Sequence, residues 1–251
     1  MQDLDRGIII GQNTYGKGLV QVTKPVAYKS KLKVTISKYY IPSGRCIQRI
    51  DYSHRSADGI ASALPDSLRK EFKTKSGRIV KDGAGIEPDV KTEEQRISPI
   101  AIALYTNNHI FEFANQYKHD HAILRDANNF SMSDEEYTQF ADYLKGKEYE
   151  YTTSSEVKLA DLKKSIKDDS YSEGVQKVIS DLEAQIKHDK SKDLLKNKPE
   201  IKRLLEQEIA SRYTYEKGRI ANSLKDDPEV KKAIEILSDG AKYKSMLTAR
   251  K

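Results

Sequence analysis

Through residues 1–95 the apolar positions come in short runs or in alternation. Arg6–Gly11 is a brief apolar run carrying Ile8, Ile9 and Ile10. Leu19–Val26 sets Leu, Gln and Thr against a row of valines, and Leu32–Tyr40 sets Leu, Val and Ile against Lys, Thr and Ser. A period of two, with Gly, Pro or Ser at the margins, predicts strands. Residues 51–77 lose that pattern. An irregular stretch is expected there, with one or two helical turns around Leu64–Lys73. From Gly77 to Val90 the string GRIVKDGAGIEPDV predicts a short strand, a glycine turn and a second extended piece.

After residue 96 the period becomes helical and stays so. Ile97–Tyr117 is apolar enough to pack against the strands, with Asn107-Asn108 as an interruption. Ser133-Asp-Glu-Glu136 has the form of a capping box and opens a helix running to Leu144. Leu159, Leu162 and Ile166 fall on one helical face, as do Val175, Val178, Ile179, Leu182 and Ile186. Pro199 suits the first turn of a helix over Glu200–Lys217, with Leu204, Leu205, Ile209 and Tyr213 inward and Gly218 as its stop. Asp227-Pro228-Glu229 supplies a cap, a first-turn proline and a first-turn acid for a last helix bearing Val230, Ile234 and Leu237. The expected fold class is α+β, with a β-rich part over 1–95 and an all-helical part over 96–251.

Composition narrows this picture only a little. The chain has 251 residues, enough for one large or two medium domains, and is 33% charged and 37% hydrophobic. No apolar run approaches the ~20 residues of a membrane span. Met1 is followed by Gln-Asp-Leu-Asp-Arg, without the basic and apolar regions of a signal peptide. The single cysteine, Cys46, excludes an internal disulfide. The net charge of +6 lies entirely in residues 1–95, where Lys24, Lys29, Lys31, Lys33 and Lys38 crowd two predicted strands. No aromatic series spaced for base stacking accompanies them, so the lysines read as a solvated face that blocks edge pairing, and nucleic acid is not an expected partner.

Lys17 is the residue that points to chemistry. It stands between Gly16 and Gly18 in NTYGKGLVQ, after an apolar strand. A lysine acts as a general base only when its ammonium can lose a proton near neutral pH, and burial lowers the value from about 10.4 by several units. A neutral lysine beside a serine forms a Ser-Lys dyad. A surface lysine in a glycine-rich turn is the plain alternative. Other candidates are weaker. Ser43 sits in Pro-Ser-Gly-Arg, a turn composition. Cys46 has no histidine near it in sequence and reads as a structural thiol. His119-Asp120-His121 with Asp126 has metal-binding residue types, but the stretch is a polar connector without a completing set, so no metal and no cofactor are expected. Arg45 is expected to pair with an acid around the Pro-Ser-Gly turn. Gly16-x-Gly18 lacks the third glycine and the helix of a dinucleotide fingerprint.

Three strings in order, NTYGKGLVQ, LKVTISKYYIPSGRCIQ and GAGIEPDV, resemble the end of the catalytic core of carboxy-terminal processing proteases, also called tail-specific proteases. The resemblance covers residues 1–90. It implies that Lys17 is the general base and that Gln21, four residues on, orients it. Tyr15 stands where the family more often has Phe, and Gln2-Asp3 resembles the link after the family's nucleophile helix. It further implies that the nucleophile serine, the oxyanion-hole groups and the PDZ domain lie upstream of Met1, so that this chain alone is inactive. The strings RYTYEKGRIANSL and DDPEVKKAIEIL resemble the helical tail of some members.

The resemblance thus implies a serine endopeptidase that cuts protein substrates near their C-terminus, in a periplasmic or exported setting. The alternative is a helical interaction or dimerisation module with no activity of its own. An incomplete core leaves apolar edges uncovered, so self-association through the first ninety-odd residues is expected.

Overall fold

A computed structural model describes residues 1–124, 126–168 and 173–248. The fold is α+β, strands first and helices after. The chain divides into two compact units: residues 1–94 with the described residues from Asp227 on, and Gln95–Asp226.

The first unit holds eight short strands among the described residues: β1 (Ile10–Gly11), β2 (Leu19–Pro25), β3 (Lys31–Lys38), β4 (Ile50–Arg55), β5 (Ala61–Ala63), β6 (Glu71–Lys73), β7 (Ile79–Lys81) and β8 (Val90–Lys91). They pair two by two. β1 lies parallel to β8, while β2–β3, β4–β5 and β6–β7 are antiparallel hairpins. Two expectations need correction here. Of the predicted strand Arg6–Gly11 only Ile10–Gly11 pairs, because Asp89 takes the amide of Ile9 with its side chain at 2.8 Å. Residues 51–77 are not irregular before their helical turn: β4 and β5 form a hairpin closed at Ser56–Gly59, while the turn expected around Leu64–Lys73 is the 3-10 turn Asp66–Leu68. The Asp58-Gly59 pair was the local hairpin signal, masked by short polar strands that show no apolar alternation.

Apolar burial in the first unit is sparse, so polar contacts carry much of its order. Ile47 and Val80 are buried, and so are Gln2, Asp3, Arg45 and Thr74. The Arg45 guanidinium is fully buried, 2.6 Å from Asp3 and 2.7 Å from Gln2 Oε1, and it also donates to the Lys81 carbonyl at 3.1 Å. The Ser43 amide donates to the second oxygen of Asp3 at 3.0 Å. Arg78 spans Asp5 at 2.7 Å and Asp89 at 2.5 Å. Burial works against ionisation of Asp3 and Asp5, but hydrogen bonds from Ser43 and Arg45, and from Ser76 and Arg78, outweigh it and hold both carboxyls below the ordinary 3.8.

The second unit contains α1 (Pro99–Thr106), α2 (His109–Asp120), α3 (Asp134–Tyr143), α4 (Ser154–Asp168), α5 (Glu173–Lys190), α6 (Asp193–Lys196) and α7 (Lys198–Leu224); α8 (Pro228–Ser238) and α9 (Gly240–Met246) belong with the first. Asn108, at φ 62°, separates α1 from α2 as the paired asparagines predict. Ser133 and Glu136 form both halves of the capping box at the start of α3. One apolar cluster joins Ile100 and Leu104 of α1, Ile110 and Phe113 of α2, Phe140 of α3, and Ile201, Leu205 and Ile209 of α7. Each fully buried Ile or Leu there contributes about 1.5–3 kcal/mol. On α4, Leu159 is buried but Leu162 is exposed. At α8 the Asp227 side chain caps the Val230 amide at 2.9 Å, and Glu229 accepts from the Thr92 hydroxyl at 2.7 Å.

Gly218 does not stop its helix. α7 breaks earlier, at Thr214 and Tyr215, where Tyr215 takes φ 57°, and then resumes through Gly218 to Leu224. A Cβ on Gly218 would stand 1.9 Å from Thr214 Oγ1 and 2.9 Å from the Ala210 carbonyl, so the glycine serves close approach after the break.

Gly218→Ala is therefore expected to lower stability by about 1–3 kcal/mol, against the ~1 kcal/mol gain that helix propensity alone gives; urea denaturation decides the sign. Asp3→Asn should cost about 3 kcal/mol, because it strands a buried guanidinium. Since the folded Asp3 and Asp5 carboxyls titrate below their unfolded values, their contribution is complete above 3.8 and drains as the pH falls further. Urea midpoints at about pH 7 and about pH 3 should converge between the Asp3→Asn variant and the parent chain.

Candidate active site

The three strings singled out in the sequence meet in one place. The Gly16 carbonyl accepts the Arg49 amide at 2.9 Å, and the Gly85 and Gly83 amides donate to the carbonyls of Ile47 at 3.0 Å and Cys46 at 3.1 Å. Thr14 closes the set: its amide donates to Ile86 at 3.1 Å, and its hydroxyl accepts the Ile86 amide at 2.8 Å. Segment Cys46–Arg49 is thus held between the lysine loop and the Gly83–Gly85 turn. Space forces the glycines. A Cβ on Gly16 would lie 2.7 Å from Arg49 Cβ, and one on Gly85 would lie 2.3 Å from the Thr14 carbonyl, both at positive φ.

Lys17 is exposed at the tip of this arrangement. With Gln21, Leu19, Thr35, Gln48 and Arg55 it lines a groove of about 440 Å³. Lys17 and Gln21 are therefore on the same cavity, but Gln21 Nε2 donates to Thr35 Oγ1 at 3.2 Å. The apolar run before the loop does not bury Lys17: Ile8, Ile9 and Ile10 stay half-buried near Asp89 and β8, while Leu19 and Ile50 share the groove with the lysine. Lys17 and Arg55 are the charged side chains of its lining, and the Arg49 guanidinium stands 5.3 Å from the ring centre of Tyr15, which also lines it.

None of the remaining candidates lines this groove. Ser43 lies in the turn closed by Gly44 N–H to Ile41 at 2.7 Å, its amide tied to Asp3. Cys46 is half-buried and in no disulfide. His119 pairs with Asp120 at 3.0 Å, His121 stacks on Tyr117 with ring centres 4.2 Å apart, and Asp126 binds Asn129. Among the described residues no three His, Cys, Asp or Glu side chains are grouped to hold a metal. Arg45 finds its acid, Asp3, far upstream of the turn.

Sequence reasoning passed over three features. Asp51, Ser53 and His54 cluster on β4, where the Ser53 hydroxyl and His54 Nδ1, 3.5 Å apart, both turn to the Asp51 carboxylate, His54 at 2.7 Å. The hydrogen bonds of Ser53, then of His54, hold Asp51 well below the usual carboxylate range. Tyr39 and Gln48 stand inside the recognised strings, and both bond the lysine loop. The Tyr39 hydroxyl donates to the Lys17 carbonyl at 2.6 Å, and the Gly18 amide donates to Gln48 Oε1 at 2.8 Å.

The model of peptidase family S41 matches residues 1–55, which contain Lys17, Gln21, Tyr39 and Gln48. A second family model, the C-terminal helical domain of probable PDZ-proteases, matches residues 100–237. The carboxy-terminal-processing protease of Bartonella bacilliformis is 44% identical over 50 residues, covering 20% of this chain and 12% of that protein. The chloroplastic C-terminal processing peptidase of Tetradesmus obliquus is 38% identical over 53 residues, 21% of this chain and 11% of its own length. The matched segment thus spans about an eighth of the first relative and less of the second. No solved structure matches the chain. No helix among the described residues is long and apolar enough to cross a membrane. With the helical-domain model covering more than half of its length behind a segment that matches peptidase family S41, the chain belongs to the PDZ-protease family that carries this C-terminal helical domain.

Proposed function

We propose that residues 1–95 belong to the catalytic core of a serine endopeptidase and that residues 96–251 are its helical C-terminal part, of which the stretch from Asp227 on joins the first compact unit. Lys17 is the general base, Gln21 orients it, and the serine nucleophile comes from a segment outside residues 1–251. The supporting observation is the glycine-framed loop: its main chain is bonded on both sides of Lys17, while the lysine side chain lines an open groove. In the reaction the amine takes the serine proton as the oxygen attacks the peptide carbonyl, then returns it to the leaving amine. A base must be neutral, and burial favours the neutral amine. Lys17 is exposed here, so covering of the groove by the nucleophile segment and the substrate belongs to the mechanism. The substrate is a protein cut near its C-terminus, and the setting is periplasmic or exported, both on family resemblance.

A second reading, a helical interaction module, is favoured by Val178 and Leu182, which are exposed one turn apart on α5. The first unit has its own uncovered apolar surface, with Val20, Leu32 and Ile36 exposed on the β2–β3 hairpin. We assign self-association to that hairpin; a monomer by light scattering at micromolar concentration would remove the assignment.

The catalytic reading is tested on an unfolded protein substrate with three samples: this chain, the chain extended upstream through the nucleophile segment, and the extended chain with Lys17→Ala. Cleavage is expected from the extended form only, and Lys17→Ala should reduce it by about 10⁴-fold or more. Cleavage by residues 1–251 alone would overturn the assignment. Three folded but inactive samples would favour the interaction module.

A further inference from the structure

We propose that Tyr39 and Gln48 are the positioning residues of Lys17, acting together on the single peptide group that follows it. The inference rests on the reading of Lys17 as the base and goes beyond it by naming what aims the amine.

The Lys17–Gly18 peptide lies just before β2 begins, so the β-ladder leaves it unpaired. Side chains bond it instead. Its carbonyl accepts from the Tyr39 hydroxyl at 2.6 Å, and its N–H donates to Gln48 Oε1 at 2.8 Å. Both residues are themselves held. The Tyr39 amide donates to the Gly18 carbonyl at 3.0 Å, and Gln48 Nε2 donates to the Ile50 carbonyl at 2.9 Å. The second bond sets the amide orientation: turned over, Gln48 would face an N–H with its NH₂ and a carbonyl with its oxygen. Gly18 allows the approach, since a Cβ there would lie 2.9 Å from the Gln48 nitrogen.

The physical consequence concerns the lysine stem. Four flexible methylenes separate the amine from the backbone, so the direction in which the side chain leaves Cα is the part that the fold can impose. A peptide plane bonded at both its polar groups, with the preceding Gly16 carbonyl bonded to Arg49, imposes it. Gln48 does this without charge. A carboxylate in its place would keep an acceptor for Gly18 but stand on the same groove as Lys17, where it favours the ammonium. The chemistry needs the neutral amine.

Two measurements test the proposal. In the 251-residue chain, Gln48→Leu should speed hydrogen exchange at the Gly18 amide roughly fivefold to tenfold. The Tyr39 and Arg49 amides, which bond main-chain carbonyls, should keep their protection and report that the fold persists. In the chain extended upstream, Tyr39→Phe and Gln48→Leu should each lower kcat about tenfold to a hundredfold with little change in KM. Gln48→Glu should recover part of kcat and move the rising limb of the pH profile to higher pH. Unchanged Gly18 exchange, or an unchanged kcat in Tyr39→Phe and Gln48→Leu while Lys17→Ala is inactive, would overturn the positioning role alone. Activity retained in Lys17→Ala would instead remove the reading on which it rests.

Discussion

A single buried guanidinium ties the first unit together. Arg45 reaches the Gln2–Leu4 turn through Asp3 and Gln2, and β7 through the Lys81 carbonyl; Asp3 in turn takes the amide of Ser43 in the Pro-Ser-Gly turn. An ion pair taken out of water loses much of its gain to desolvation, so its stabilisation depends on these added hydrogen bonds. They also fix where the chain runs. Ile41 N–H bonds the Arg45 carbonyl at 3.1 Å, so the turn and the segment leading to Ile47 and Gln48 are placed by the same residue. With so few apolar side chains buried in this unit, the directional network decides which of several loose packings is adopted.

The site stands on that placement. Cys46–Arg49 is a short segment outside any strand, yet it carries the backbone groups that bind the lysine loop on one side and the Gly83–Gly85 turn on the other. Its neighbours approach so closely that only glycine fits at 16, 18 and 85. Chemistry at Lys17 therefore depends on contacts that do not touch its amine: Arg45 sets the segment, the segment sets Gly16 and Gly18, and these set the lysine's exit direction.

The helical unit is stabilised differently. An apolar cluster across α1, α2, α3 and α7 supplies the driving force, with edge-on contact of Phe113 and Phe140 at 5.0 Å. The buried acid of this unit among the described residues, Glu206, takes the Met132 amide at 2.9 Å and Lys225 at 3.0 Å, so its charge is paired. The helices after Asp227 follow another logic: Glu229 of α8 takes the Thr92 hydroxyl, and the buried Ile236 lies outside this cluster.

Features set by near neighbours were legible in the chain. The period-two runs gave β2 and β3, the Ser133–Glu136 and Asp227–Val230 spacings gave helix starts, the paired asparagines gave the break before α2, and Gly-Lys-Gly marked Lys17. What depended on partners distant in sequence was not legible. Nothing local to Arg45 names Asp3, nothing local to Gly18 names Gln48, and the exposure of Lys17 follows from which elements fail to cover it. The break at Tyr215 is of the same kind, since no glycine or proline announces it and Gly218 looks like a stop until the carbonyl of Ala210 is placed beside it. Periodicity and caps act over a single turn or pleat, whereas a buried polar group takes whichever partner the whole fold delivers, and only the tertiary structure chooses that partner.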